Sequence, residues 1–353
     1  MRLLDDILDS INAKMPAAVG GGKWLFGRVE YLRNLWLAKG GGGNAVFDYD
    51  FLMSLDEKDY QKYLSLAYLV KTGEKLNLKN PVTINEKIQW LKIYDNLPIK
   101  TQLTDKVLVR DWIKDKIGEE YLKPVLWVGN NFDAIPFEPT VGDDSSLIPF
   151  EPLPNSFIVK ANHGCKWHFI VKDKQTYLDN SRLFQLSKNA MNNWMEQSFF
   201  GWSDFEGQYR YIKPQIIIEE LLRENETQTN EFEIWCFNGI PKIIQDIKKE
   251  NQRTRSVCSY DENLNYLNLN FIAHAVIENH ECSEYLLKAI ELSKILSKGF
   301  KLVRIDWILY QNKLYFSEMT FTPYSGQIPT DDSWEQWQLR MGDMLNLKGN
   351  ENG

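Results

Sequence analysis

Four residues near the C-terminal end have types and spacing that could do chemistry together: Arg304, Asp306, Glu318 and Thr320. They lie in LVRIDWILYQNKLYFSEMTFTPYSG, residues 302–326. Runs of branched and aromatic residues at 302–310 and 314–320 flank a short polar break and read as paired strands. A three-residue loop over 311–313 sets Tyr310 opposite Leu314, Asp306 opposite Glu318 and Arg304 opposite Thr320. Strand alternation then puts all four on one face. Opposed side chains have Cβ atoms about 4.5–5.5 Å apart, and two carboxylates at that distance repel. They call for a cation, and hard oxygen ligands with room for water suit Mg²⁺, which also takes phosphate oxygens. Arg304 adds a planar fork for phosphate or another oxyanion.

An exposed hairpin with two acids on its wet face accounts for the same residues. The opposite face (Val303, Ile305, Trp307, Leu309, Met319, Phe321) is apolar. Ile308 and Phe316, which this register places among the acids, argue that the acidic face is covered too. The spacing alone fits either reading.

The rest of the chain must position these groups. Its 353 residues suffice for two or more domains and a large core. A net charge of −7 gives no general basic field for nucleic acid. Cys165, Cys236, Cys258 and Cys282 are scattered without a CxxC pair. With no export signal in MRLLDDILDS, they point to a reducing cytoplasm. No apolar run approaches the roughly 20 residues needed to span a bilayer.

Two glycine clusters flank KWLFGRVEYLRNLWLAK, residues 23–39. This mixture of aromatic, aliphatic and basic residues fits a helix lying on a membrane surface, on a partner or on its own protein. The GGGK at 20–23 is not a P-loop, because Ala17 and Trp24 stand where Gly and Ser or Thr are required.

Residues 46–118 read as helices. One spans 55–70. A capping box at Thr83-Ile84-Asn85-Glu86 opens another, and a third runs from 104 or 105 to Gly118 with Lys106 in its first turn. A short strand at 124–128 leads into a loop over 129–155 that contains IPFEP twice. Its prolines exclude a regular helix or a central strand, leaving a surface excursion or a flap.

Strands at 157–161 and 169–171 are joined by NHGCKWH, residues 162–168. Such a turn can aim backbone N–H groups at phosphates, with Lys160 adding charge. Gly164 is its only glycine, and His163 and His168 have no metal-ligand spacing. A helix is expected over 179–200 and strands at 215–219, 231–237, 241–247 and 255–260. KKENQRTR, between the last two, reads as a solvated tip or a basic loop closing over anions. His274, His280 and Cys282 match no zinc template. A helix over 283–297 ends before Gly299. Mixed helices and mostly antiparallel strands give an α+β class.

The order of these segments resembles an ATP-grasp enzyme. Arg304-Ile305-Asp306 followed by Glu318-Met319-Thr320 and Pro323 is similar to the metal-binding stretch of D-alanine–D-alanine ligases, R-x-D then E-x-N, with Thr320 in place of the usual Asn. The fuller match is to the TupA-like ATP-grasp family of bacterial cell-surface polysaccharide biosynthesis. It is carried by residues 73–95, 104–124, FIVKANHG (157–164), IKPQIIIEELL (212–222), CFNGIPKII (236–244) and EMTFTPYSG (318–326).

The resemblance implies two α+β subdomains sandwiching nucleotide, with ATP and Mg²⁺ as cofactors. It casts Lys106 and Lys160 as the ATP lysines and Gly164 in the phosphate loop. Glu219, Glu220 and Leu222 would form the adenine hinge, held mainly through backbone, and Glu231 would meet the ribose. Asp306, Glu318 and Thr320 would hold metal, and Arg304 would face the transferring phosphate. The family's serine, glycine and asparagine are Cys165, Lys166 and His168 here, and without glycine at 166 a positive φ is less accessible.

The implied reaction is carboxylate–amine ligation through an acyl-phosphate. A kinase or glycan-modifying transferase, or a binding module without catalysis, are the alternatives. The expected divisions are a helical extension over 1–72, an N-terminal subdomain with the proline-rich loop over 73–153, a nucleotide-binding and catalytic region over 154–327 and a tail over 328–353.

Overall fold

The computed structural model describes residues 32–34, 45–137, 153–203, 205–222, 230–249, 255–269, 276–277, 282–328 and 335–348. Two antiparallel sheets, each with its own core, frame the molecule. The smaller has the order β1–β4–β2–β3, built from β1 (Val125–Gly129), β2 (Phe157–Ala161), β3 (His168–Val171) and β4 (Ile216–Glu220). Phe157, Val159 and Ala161 alternate inward from β2. They meet Ile216 and Ile218 of β4 under α6 (Lys174–Asp179) and α7 (Ser181–Met195), with Phe132, Phe137, Tyr177 and Met191 filling the layer. Ile158 and Lys160 therefore point the other way, because successive strand residues face opposite sides.

The larger sheet runs β11–β10–β5–β6–β7–β8, from β5 (Asn230–Phe237), β6 (Ile240–Lys249), β7 (Arg255–Asp261), β8 (Tyr266–Leu267), β10 (Leu302–Tyr310) and β11 (Lys313–Thr320). β9 (Val276–Ile277) lies parallel to β7. On one face Phe232, Ile234, Val303, Ile305, Trp307 and Met319 pack beneath α5 (Val109–Ile117) and α8 (Glu284–Leu296). On the other, Trp235, Phe237, Ile243 and Leu302 are roofed by α3 (Ile84–Tyr94) and α9 (Glu335–Met344). The remainder of that second face carries the polar row of β5, β10 and β11 and looks toward the small sheet.

The capping box forms as expected: Glu86 N–H donates to Thr83 Oγ1 and Thr83 N–H to the Glu86 carboxylate. Residues 335–344 form a helix docked on α3, with Met341 and Leu345 in the core. The approach is close: a Cβ on Gly342 would lie 2.0 Å from the Val82 carbonyl oxygen. Upstream, α1 (Tyr49–Ser54) and α2 (Tyr60–Thr72) share a further core with Phe200 and Phe205. α2 starts later than 55 because residues 57–59 form a 3₁₀ turn first.

Other expectations are corrected. The helix expected from 104 or 105 to 118 begins only at Val109, as α5: a separate α4 (Pro98–Thr104) precedes it, and in the turn between them Asp105 Oδ1 accepts from the backbone N–H groups of Val107 and Leu108. Lys106 thus sits in the intervening turn, ahead of the helix. The helix expected over 179–200 starts at Ser181, capped by the Asn180 side chain, and ends at Met195, with a 3₁₀ turn following at residues 199–202. The hairpin loop has two residues, Gln311 and Asn312, so Tyr310 pairs with Lys313. Both loop residues have positive φ, the requirement of a type I′ turn. A bulge after Asp306 restores the register, so Asp306 still faces Glu318 and Arg304 still faces Thr320. The same bulge turns Phe316 into the core, edge-on to Trp307 at 6.0 Å, and off the acidic face.

The second IPFEP, residues 250–254, His274, His280 and all of 23–39 but 32–34 lie outside the described residues. Among the described residues no helix is long and apolar enough to cross a membrane.

Candidate active site

The acidic face of β10 and β11 is built around Arg304. Its Nε donates to Asp306 Oδ1 at 2.7 Å and one terminal nitrogen to Oδ2 at 2.6 Å, a bidentate pair between strand positions two apart. The same guanidinium lies 3.5 Å from Glu318 Oε1 and 3.7 Å from Glu233 Oε2. Glu233 pairs in register with Asp306, so three carboxylates stand abreast on β5, β10 and β11 with one arginine among them. Burial and the neighbouring Glu233 and Glu318 push Asp306 well above the usual carboxylate range, against the pull of Arg304. Glu318, whose side chain is 47% exposed, goes the other way. Burial would raise it, but Arg304 and Lys106 lower it. Between Asp306 and Glu318, Asp306 is the one that favours a proton. Thr320 Oγ1 donates to Glu318 Oε1 at 3.3 Å.

A cavity of about 260 Å³ runs between the sheets, from Glu318 past Lys106, Gly164 and Lys166 to Lys160, Glu219 and Glu231. Lys106 enters from the turn before α5, and its Nζ donates to the Gly164 carbonyl at 2.6 Å. Burial lowers its pKa, and Glu318 partly offsets this. Lys160 projects from β2 with its Nζ 2.5 Å from Glu219 Oε2.

Glu219 is the departure from a hinge that acts through backbone. Its carboxylate is buried and faces Lys160, Lys123 at 3.4 Å and Arg110 at 3.8 Å. Burial works against the charge, but Lys123, Lys160 and Arg110 hold it down to about 2. A smaller recess of about 120 Å³ adjoins, between Ile158, Ile170 and Ile308 with Glu220, Leu221 and Leu222 along its edge. The Glu220 N–H is already bonded to the Pro124 carbonyl at 3.1 Å. Glu231 lies opposite Ile308 at the cavity's margin.

The 162–168 turn roofs the cleft. Lys166 adopts φ of 61°, so the left-handed conformation is kept without a glycine. Gly164 is required for a different reason: a Cβ there would lie 2.4 Å from the Trp167 ring. His163 is fully buried, its ring nitrogens against Asn162 Oδ1 and the carbonyls of Trp194 and Gln197, which identifies it as an anchor of the turn.

Three charged participants escape sequence reasoning. Glu233 had a signal, since it and Glu231 alternate along β5, but nothing showed that β5 borders β10. Lys123 and Arg110 had none, being ordinary basic residues, one before a strand and one within a helix. As to metal, no group of three or more His, Cys, Asp or Glu side chains among the described residues forms a ready cage. Asp306 and Glu318 with the Thr320 hydroxyl still fit Mg²⁺, which is commonly held by one or two carboxylates, water and substrate phosphate.

Two antiparallel layers enclosing a lysine-lined cleft that ends at Glu318, with Arg304 and Asp306 packed against it, define an ATP-grasp protein. A family model described as TupA-like ATP-grasp matches residues 86–345, and the chain belongs to that family. No curated protein matches significantly. Among solved structures, D-alanine–D-alanine ligase from Helicobacter pylori is similar at 15% identity and a TM-score of 0.37, over 69% of this chain and 61% of that one. The D-alanine–D-alanine ligase from Bacillus anthracis complexed with ATP is similar at 15% and 0.38, over 69% and 65%. An L-amino acid ligase from Bacillus licheniformis is similar at 11% and 0.37, over 70% and 51%. The chain thus spans less than two thirds of each of these proteins.

Proposed function

We propose that the protein is an ATP-dependent carboxylate–amine ligase. The observation that carries this reading is Arg304, flanked by Asp306 and Glu318, at the end of a cleft whose walls supply Lys106 and Lys160. A substrate carboxylate oxygen attacks the γ-phosphorus of ATP, the bond to the β,γ-bridging oxygen breaks, and ADP leaves. The amine nitrogen then attacks the acyl carbon, inorganic phosphate departs, and the amine proton passes to solvent. Such transfers rest on positioning and charge neutralisation, not on a protein nucleophile.

Lys106 and Lys160 meet the phosphate chain, with Gly164 and its turn closing over it. Arg304 faces the transferring phosphoryl group and the tetrahedral intermediate. Glu219, Glu220 and Leu222 border the adenine recess, and Glu231 the ribose. Asp306, Glu318 and Thr320 would hold Mg²⁺, which supplies positive charge against the phosphate oxygens. The acceptor is a uronic acid or acidic amino acid of a bacterial cell-surface polysaccharide or its precursor, and the reaction is cytoplasmic. Residues 1–72, 73–153, 154–327 and 328–353 are the corresponding divisions of the chain, and residues 23–39 its contact to a membrane or partner.

The experiment is to incubate the protein with ATP, Mg²⁺ and a panel of uronates and acidic amino acids, each with a set of amines. ADP release that requires both substrates, with an amide product by mass spectrometry, is the expected result. A stable phosphorylated product without amide identifies a kinase instead. No ADP release across the panel, joined to no ATP binding by calorimetry, overturns the proposal.

A further inference from the structure

The group the proposed reaction leaves unused is Lys123. Its side chain is 7% exposed, between the turn after α5 and the start of β1, and its Nζ is 3.4 Å from the same Glu219 oxygen that Lys160 holds at 2.5 Å. Arg110 approaches the other oxygen only to 3.8 Å and is committed by a 2.8 Å bond to the Lys123 carbonyl. Three cations around one buried carboxylate are more than stability calls for, since a buried ionic cluster contributes little over an apolar one.

The excess has a use if Lys160 must move. To meet a phosphate, Lys160 has to loosen from Glu219, and a buried carboxylate left without a cation is expensive. We propose that Lys123 is the exchange partner of Glu219: it takes over the carboxylate when Lys160 turns to the nucleotide. Lys123 is then a positioning residue, acting on nucleotide through Lys160. This deepens the ligase reading and rests on it.

Lys160 from β2, Glu219 and Glu220 from β4, Arg110 from α5 and His168 from β3 are the ionisable groups set around Lys123. Burial and the neighbouring Lys160 lower its pKa to about 8, with Glu219 opposing. Above that pH the exchange partner is neutral and nucleotide affinity should decline.

The test is calorimetric binding of a non-hydrolysable ATP analogue with Mg²⁺ to the full chain, as wild type, Lys123→Met, Lys123→Arg, Glu219→Gln and the Lys123→Met/Glu219→Gln double variant. Lys123→Met should weaken binding about tenfold, within the range of couplings inside one ionic network. Lys123→Arg should restore it. In the Glu219→Gln background, where there is no carboxylate to hand over, Lys123→Met should change affinity less than about twofold, because the coupling is gone. Wild-type affinity should fall as pH rises through about 8, and that of Lys123→Arg should not.

An equal loss in both backgrounds, as from direct contact between Lys123 and nucleotide, overturns the proposal, and so does no loss in the wild-type background. Should circular dichroism show Lys123→Met unfolded, the pH profiles of wild type and Lys123→Arg decide, and identical profiles overturn it. Absence of binding by the folded wild type overturns the ligase reading along with this one, whereas a wild type that binds isolates the fault to Lys123.

Discussion

Asp306 and Glu318 are neighbours with opposite tendencies: the first is buried among acids, the second half exposed and served by Arg304 and Lys106. Removing either charge leaves core volume intact. Asp306→Asn and Glu318→Gln should therefore keep the wild-type circular dichroism. Each should lower ADP release by at least about 10²–10³-fold, the scale on which preorganised charge acts. Full activity in either variant refutes their placement in the machinery.

The cluster behind them makes a second, thermodynamic prediction. Glu219 is lowered to about 2, so in the folded state it keeps its charge over a range where the unfolded chain binds a proton. Its stabilisation is present above the usual 4.5 and is lost as pH falls toward 2. Lys123, lowered from 10.5 to about 8, has the opposite consequence. Its penalty is full below 8 and fades as pH rises through 10.5, above which both states are neutral. Each shift corresponds to about 3 kcal/mol, so the two nearly cancel at neutral pH. Urea melts at pH 7 should find Lys123→Met within about 1 kcal/mol of wild type or above it. The gap between Lys123→Met and wild type should narrow from pH 8 to 10.5.

At the scale of elements, the β10–β11 hairpin shows what sequence patterning can and cannot reach. Alternation placed Asp306 against Glu318 and Arg304 against Thr320, and the structure keeps both pairs. The route differs: a tighter turn displaces the register by one and the bulge at Ser317 returns it. Neither device announces itself, because Gln311-Asn312 lacks the glycine that usually marks a type I′ turn and Ser317 is an unremarkable strand residue. The helices were legible where caps are local, as at Thr83, and misjudged in their starts near Asp105 and Asn180, whose side chains bond the backbone ahead of α5 and at the start of α7. Asn312, at φ of 58°, holds a conformation that glycine reaches without steric cost. Asn312→Gly should stabilise the protein slightly in urea melts, as glycine is preferred at this turn position, without altering ADP release. A loss of stability would contradict the turn assignment.

Across the whole molecule, what stayed hidden was mostly lateral. No pattern in β5 tells which strand borders it, so Glu233 went unplaced beside Asp306. Lys123 joined the site only because β1 pairs with β4, which seats it against Glu219. The C-terminal helix was hidden for the same reason, since its docking on α3 is a tertiary matter. That docking is tight enough to test. Alanine at Gly342 would force its methyl group onto the Val82 carbonyl, with backbone on both sides and little room to yield. Gly342→Ala should cost about 1–3 kcal/mol, the usual scale of overpacking. Its urea midpoint should drop accordingly, and an unchanged midpoint would mean that α9 sits further from α3.

The two sheets carry separate cores, and the two cleft lysines belong to different ones. Lys106 follows Leu103 and precedes Val109, both rooted in the large sheet's core, while Lys160 rides the small sheet between Val159 and Ala161. The spacing between their ammonium groups is therefore geared to the tilt of one slab against the other. That gauge is pinned across the gap, since Lys106 N–H donates to the Asn162 carbonyl at 3.2 Å and Asn162 Nδ2 to Asp105 Oδ2 at 3.0 Å, so any rocking must work against these bonds.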